Sequence, residues 1–544
     1  MGKFGAFLWG TVCLAFLLVG CGQDSGPKSS QQSKPKIAAQ NGTKPVILIV
    51  VDSLMDKPLR KAMKTGRAPA MRYLRENGRY YSGVVSSFPT MSVSIDSTLL
   101  TGTYADGHRV PGLVWYSNKE KRHVFYGNGP KEAVKISQTQ VVMDAIHQLN
   151  QVQLNPETKT IHEVLAEQGK QSASINALIF RGNTEHNLRM PRWIAASTPL
   201  PQTVKVTGPR WMSYAALKQL DPENNDSARA WNKYGLNDMH TAKELAYLIG
   251  QNKLPPFTIA YFPENDMAVH KNGVNHLDGI AKADEALQVV LNAFGTWEQA
   301  VKNAVWVVMG DGGQSTVLDD REAAKIDLRR LLQSYRIAPL SRPVQAGDQI
   351  VISSNERMAY LYAIDERVRE RDLVKLLQQE AKIDLIAWNS GQDVVVTAGK
   401  DDSYLTFRPG GIYRDEYGQS WTLQGNPDLV DLTLSEKRIA YGRYPDALAR
   451  LYGALHSHEG RFLVVTAKPG HELVAESSPT HIGGAAHGSL HEKDSLVPLI
   501  VSGTNSRPKT LRIVDLKDWL LGLTAGKGAN GNSANKKMPL LKSG

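Results

Sequence analysis

Short, uninterrupted apolar runs alternate along this chain with longer segments whose apolar residues recur at helical spacing. Runs of the first kind lie at 46–51 (VILIVV), 174–180, 257–262, 305–309, 462–466 and 497–501. Most are rich in Val, Ile or Leu, which predicts strands buried on both faces. Between them come amphipathic stretches such as 276–294 (HLDGIAKADEALQVVLNAF), read as a helix. Strands alternating with helices predict an α/β fold. One region breaks the rhythm. Residues 337–444 mix β-like pieces (351–352, 358–363, 394–396, 404–407) with a helical stretch at 366–380, bracketed by Pro and Gly. They read as a smaller α+β insertion between two parts of one core, and no internal repeat is visible.

The two ends differ from this body. Residues 1–20 carry one early positive charge, Lys3, and an apolar core from Phe4 to Val19, the layout of a secretory signal. The segment closes on Leu18-Val19-Gly20-Cys21, which resembles the lipobox of bacterial lipoproteins. That resemblance implies cleavage before Cys21, acylation there, and a cell-membrane anchor that leaves the body outside the cytoplasm. Residues 21–45 read as a flexible tether, dominated by Ser, Gln, Lys, Gly and Pro up to Asn41, and 526–544 as a disordered tail. The catalytic body would then span 46–525.

Composition narrows the chemistry. The two cysteines are Cys13, inside the expected signal, and Cys21, so the mature body has neither disulfide nor thiol nucleophile. Catalysis must use oxygen, nitrogen or metal. The net charge of +11 suits an anionic surface or substrate. No basic stripe interleaved with aromatics marks a nucleic-acid-binding module.

Ligands of open α/β sheets bind at the carboxyl ends of strands. Here the first run leads into Asp52, the 257–262 run is followed by Asp266 and His270, and the 305–309 run by Asp311. His487 and His491 follow near the last core strands. Singly, an Asp in such a place is an ordinary turn or cap residue. Together, carboxylates and imidazoles are the ligands of a borderline cation such as Zn²⁺. Two such ions clamp the attacking and leaving oxygens of an in-line phosphoryl displacement. In 86–104 (SSFPTMSVSIDSTLLTGTY), Ser92 lies where a helix would begin, with Thr90 as the rival hydroxyl. A helix N-terminus there favours a phosphate. His108 reads as a residue packing under this loop and Asp284 as a solvated or capping carboxylate.

The pieces VILIVVDSL, FPTMSVSIDSTLLTGTYADGH, YFPENDMAVHKNG, VVMGDGGQ and AAHGSLHEKDSLVPLIVSG resemble, in order, the alkaline phosphatase superfamily. Within it they resemble the type I phosphodiesterase/nucleotide pyrophosphatase branch. The resemblance implies a three-layer alkaline-phosphatase-like sandwich with a mostly parallel central sheet. It also implies two divalent metal ions, Zn²⁺ first, with Mn²⁺ or Mg²⁺ as alternatives. Asp52 and Asp311 would hold one ion together with the oxygen of Ser92. Asp266, His270 and His487 would hold the other.

Three departures accompany the likeness. Gly312 stands where the family has a histidine in Asp-His-Gly, so Gln314 or a water would have to complete that shell. Leu113 replaces an asparagine that supports the phosphoryl oxygen, and the nucleophile is serine rather than threonine. His491 is a further candidate, read as a surface residue or one packed behind the metal ligands. The implied function is a lipid-anchored metal-dependent hydrolase of phosphoric esters working through a covalent phospho-serine. Its partners would be a small phosphate ester or an envelope phospho-polymer. The alternatives are phosphoryl transfer to envelope polymers and a non-catalytic lipoprotein that retains the fold. Val93, Ser94, Ile95 and Asp96 follow Ser92 in place of the motif that matures to formylglycine, which argues against sulfatase chemistry.

Overall fold

In the computed structural model, which describes residues 43–127 and 130–525, the apolar runs assemble into a seven-stranded mixed sheet. Its order is Gly78–Val85, Leu496–Ser502, Val305–Gly310, Val46–Val51, Phe257–Phe262, Ser172–Ile175, Trp211–Ser213. All strands run parallel except Leu496–Ser502, which is antiparallel to both neighbours. The sheet is therefore mostly parallel, as expected.

Strand periodicity splits the side chains between two cores. Val46, Leu48, Val50, Ile259 and Val307 face one cluster, shared with Ile95 and Leu99 of the helix Ser92–Thr101 and with Leu516 and Leu520 of the helix Leu516–Thr524. Ile47, Ile49, Val51, Ala260 and Val308 face the other, shared with the helices Pro69–Glu76, Asp238–Gly250 and Asp278–Asn292. That gives three layers. Each fully buried Val, Ile or Leu among these contributes about 1.5–3 kcal/mol. No described helix is long and apolar enough to cross a membrane.

Register positions the site. Val51 pairs with Phe262 on one side and Gly310 on the other, so three central strands end level. Asp52, the loop before Asp266, and Asp311 therefore leave the sheet side by side.

Two strands depart from expectation. The run at 174–180 is a strand only over Ser172–Ile175. Asn176 adopts the left-handed region (φ 56°), and its side chain binds Ala215 N, Gly235 O and Thr241 Oγ1, which turns the chain away. The 462–466 run forms Phe462–Ala467, buried on both faces, but in a second sheet. That sheet has nine strands and is almost wholly antiparallel, ordered Ile350–Asn355, Met358–Ala363, Phe462–Ala467, Ile383–Ser390, Asp393–Thr397, Leu405–Asp415, Arg438–Tyr441, Leu432–Ser435. Ser420–Gly425 pairs with Leu405–Asp415 beside this path. The region read as an insertion over 337–444 thus takes in a strand beyond its expected end. Helix 366–380 is Glu370–Leu377, and 276–294 is Asp278–Asn292. The signal, Cys21, most of the tether, and the 526–544 tail lie outside the described residues.

Candidate functional site

Ser92 is the first residue of the ten-residue helix Ser92–Thr101, after Met91 in extended conformation. The helix closes on Gly102 in the left-handed region (φ 68°), whose N–H binds Thr98 O. Its half-buried hydroxyl lies 3.4 Å from Asp52 Oδ1, a long contact that leaves it free to turn toward a ligand. Thr90 is placed differently. Its fully buried Oγ1 accepts from Gly488 N at 2.8 Å and donates to Ser489 O at 3.2 Å. His108 packs under the same helix, fully buried, with Nε2 3.1 Å from Thr98 Oγ1 and Nδ1 accepting from Val110 N.

Asp311 lies beside Asp52. Its Oδ1 accepts from Ser53 N (2.9 Å) and Gly312 N (2.7 Å), and its Oδ2 from the Tyr261 hydroxyl (3.1 Å). Burial raises the Asp52 carboxyl well above its usual range, and the neighbouring Asp311 and Asp266 carboxylates push the same way. Asp96, one turn after Ser92, is fully buried, and burial followed by the Asp311 charge raises it too. Among the described residues this group offers oxygen: the carboxylates of Asp52 and Asp311 and the hydroxyls of Ser92 and Tyr261, with the Asp96 carboxylate close behind. At Gly312, a Cβ would meet Ile95 Cδ1 at 3.3 Å, with no polar side chain among the nearest atoms.

Asp266 and His270 occupy one face of the helix Glu264–Asn272, four residues apart, and His487 comes to meet them. His270 Nε2 is 3.2 Å and His487 Nε2 3.7 Å from Asp266 Oδ1. Each ring turns Nδ1 to a backbone carbonyl, His270 to Ala485 O (2.8 Å) and His487 to Thr90 O (2.5 Å). This leaves both Nε2 atoms facing the carboxylate, the orientation a metal-binding imidazole takes. One ligand atom from each residue lies within 4.8 Å of the others, so the donor set suits a Zn²⁺-like cation. Burial works against the charged form of His270, but Asp266 and Glu356 outweigh it and hold the imidazolium up to about 10. For Asp266, burial is likewise overridden by His270, and its carboxyl sits well below the usual range.

Three more of the expected residues have defined contacts. Gln314 keeps its Oε1 buried with no hydrogen-bond partner among the described residues. Its Nε2 donates to Asp266 Oδ1 (2.7 Å) and Ser53 Oγ (3.0 Å), so it braces the Asp266 cluster. His491 joins neither group among the described residues. Its Nδ1 accepts from Lys493 N as a helix cap, and its ring packs on Tyr444. Asp284 is a cap but not solvated: fully buried, it accepts from Ala70 N and Met71 N at the start of Pro69–Glu76.

Sequence reasoning missed four residues. Ser53 donates from Oγ to Asp266 Oδ1 at 2.8 Å, and Tyr261 bonds Asp311. Glu356 lies 3.7 Å from His270 Nε2 and 3.9 Å from His487 Nε2. His481 stacks on His270 with ring centroids 4.1 Å apart, its Nδ1 2.7 Å from buried Glu472. Tyr261 and Ser53 adjoin apolar runs, and His481 sits in the Gly-rich approach to His487, so these carried a faint signal. Glu356 carried none, because it lies in a turn of the region read as an insertion.

The family model for type I phosphodiesterase/nucleotide pyrophosphatase matches residues 46–408. No curated protein matches the chain. Among solved structures, murine ectonucleotide pyrophosphatase/phosphodiesterase 5, an inactive form in complex with AMP, aligns with a TM-score of 0.53 and 13% identity, covering 90% of this chain and 97% of that one. The same murine protein in a second structure gives 0.53 and 12%, with the same coverage. The human counterpart gives 0.52 and 12%, covering 89% and 95%. At such identities these likenesses establish the fold. With the family model they show that the chain belongs to the type I phosphodiesterase/nucleotide pyrophosphatase family of the alkaline phosphatase superfamily, a family of phosphoester hydrolases.

Proposed function

We propose that the protein is a metal-dependent phosphodiesterase acting through a covalent phospho-serine, tethered outside the cytoplasm by lipid on Cys21. The observation that carries the reading is one juxtaposition. A half-buried serine hydroxyl at a helix N-terminus faces Asp52, beside a second cluster of Asp266, His270 and His487. In this reading Asp266, His270 and His487 hold one cation. Asp52, Asp311 and Ser92, all oxygen donors, suit a harder second ion such as Mg²⁺ or Mn²⁺ better than Zn²⁺. Bound there, such ions supply Lewis-acid polarisation of the phosphoryl oxygens and lower the pKa of nearby hydroxyl groups.

The chain's own residues do the rest. The first N–H groups of Ser92–Thr101 and the helix dipole favour the anionic phosphoryl group beside Ser92. The Ser92 oxygen attacks phosphorus in line while the bond to the leaving oxygen breaks, and Asp52 Oδ1 is the nearest acceptor for its proton. Water then opens the phospho-serine and restores the hydroxyl. AMP bound to the murine relative supports a nucleotide-derived ester as substrate. The anchor reading is supported by Lys3, the apolar 4–19 run and Leu18-Val19-Gly20-Cys21.

The test is hydrolysis of bis-p-nitrophenyl phosphate and p-nitrophenyl phosphate with added Zn²⁺, Mn²⁺ or Mg²⁺. Ser92→Ala is expected to lower turnover on the order of 10³-fold or more, with the diester preferred in the unaltered protein. Equal activity of Ser92→Ala, or no turnover with any of these ions, would sink the reading. Cys21→Ser should move the protein from the membrane fraction to the soluble one.

A further inference from the structure

We propose that Glu356 is a fourth protein ligand of the cation at Asp266, His270 and His487, an assignment that rests on reading those three residues as a metal site. Glu356 belongs to the second sheet. Asn355 pairs with Met358, so Glu356 and Arg357 form a two-residue hairpin turn between Ile350–Asn355 and Met358–Ala363. A hairpin turn residue is ordinarily solvated, and a charged one more so. Glu356 is instead 6% exposed. It also takes the left-handed region at φ 59°, which is unfavourable for a residue with a Cβ and is usually left to Gly or Asn. A buried carboxylate in a disfavoured turn conformation needs a compensating partner.

The partners are the two Nε2 atoms. Glu356 Oε1 lies 3.7 Å from His270 Nε2 and Oε2 lies 3.9 Å from His487 Nε2. Asp266 Oδ1 lies 3.2 and 3.7 Å from the same two nitrogens. Each imidazole thus faces one carboxylate on either side. Ligands about 2.0–2.1 Å from one tetrahedral ion stand roughly 3.3–3.4 Å apart. The four distances lie around and slightly above that spacing, so each Nε2 has a carboxylate oxygen on either side: Asp266 Oδ1 for both, Glu356 Oε1 for His270 and Glu356 Oε2 for His487.

The turn is also held for this purpose. His487 N donates to Glu356 Oε2 at 3.1 Å, and Arg357 N donates to His487 O at 2.9 Å. Leu473 N binds Glu356 O at 2.7 Å. The segment bearing His487 and the turn bearing Glu356 therefore fix each other's position, which is what preorganised ligation requires. His481 is a different case. Its Nδ1 bonds Glu472 and its ring stacks on His270, and with His270 and Glu356 it forms a second group whose ligand atoms lie within 4.8 Å of one another.

The test measures Zn²⁺ affinity of the purified full chain by chelator competition, and the visible absorption of its Co²⁺ form. The variants are Glu356→Gln and Asp266→Asn. The expected result is a loss of at least about tenfold in affinity for Glu356→Gln, with a changed Co²⁺ spectrum, and a larger loss for Asp266→Asn. Glu356→Gly suits the left-handed turn and should show the same loss while folding normally, which excludes a misfolded turn as the cause. If Glu356→Gln keeps affinity within about twofold and an unchanged spectrum while Asp266→Asn loses binding, the metal site stands and Glu356 is not a ligand. If His481→Phe loses as much as Glu356→Gln while Asp266→Asn does not, the ion lies elsewhere and the assignment falls. If the unaltered protein binds no ion, the cluster is an imidazolium–carboxylate quartet, and the metal-site reading falls with it.

Discussion

Ser92 and Thr90 stand two positions apart, and their hydroxyls have opposite surroundings. Ser92 has a long contact to Asp52 and borders the Tyr261 hydroxyl, whereas Thr90 is saturated by Gly488 N and Ser489 O. Thr90→Ala should therefore cost about 1–3 kcal/mol by leaving the buried Gly488 N–H unpaired, and the urea midpoint should fall with an unchanged m-value. If it instead abolishes turnover in a fully stable protein, Thr90 is the nucleophile. His162 offers a second prediction. It is buried against Phe257, and burial lowers its pKa from 6.5 to about 3. The unfolded chain then binds the proton and the folded one does not, so stability is complete above pH 6.5 and is lost as pH falls toward 3. Relative to His162→Phe, the unaltered protein should lose about 2 kcal/mol between pH 7.5 and 5, read from urea midpoints at the two values. Asp52, Asp266, His270 and Asp311 were legible because each follows an apolar run that announces a strand end. Glu356 was not, because nothing local distinguishes an acid bound for a site from one in a solvated turn.

At the scale of elements, the hairpin turn Glu356-Arg357 joins the two sheets. Arg357 is fully buried and ion-paired with Asp494, and it donates to Ser315 Oγ at 2.7 Å. Asp494 in turn accepts from Ser489 N at 2.9 Å, just beyond His487. The pair thus connects a turn of one sheet to the loop that ends at a strand of the other. Arg357→Met should destabilise the protein by about 3–5 kcal/mol, because it strands a buried carboxylate. Adding Asp494→Leu should recover part of that loss, whereas additive losses in the double variant would mean the pair is not coupled. Such long-range pairing also marks the limit of sequence reading. Period and composition identified Phe462–Ala467 as a strand buried on both faces, and it is one. Which sheet it enters depends on Met358–Ala363 and Ile383–Ser390, about a hundred residues earlier in sequence, and no local pattern encodes that choice.

Across the whole molecule, the acidic and histidine residues of the site come from segments spread from Asp52 to His487, and the sheet register brings them together. A cation bound there would link strand ends, a helix and a loop that the chain joins only through long connections. It would bind the folded state and find no preformed site in the unfolded one, so its affinity adds to stability. At a free Zn²⁺ concentration about a hundredfold above the dissociation constant, the expected gain is roughly 2.7 kcal/mol. Stripping with a chelator should lower the urea midpoint by the corresponding amount, and restored Zn²⁺ should return it. Asp266→Asn should remove most of this dependence, since a single oxygen of Asp266 faces both Nε2 atoms. Ser92→Ala should keep most of it, because Ser92 lies in the Asp52 group and outside the Asp266 cluster. Equal Zn²⁺ stabilisation in the unaltered protein and in Asp266→Asn would show that the ion binds elsewhere.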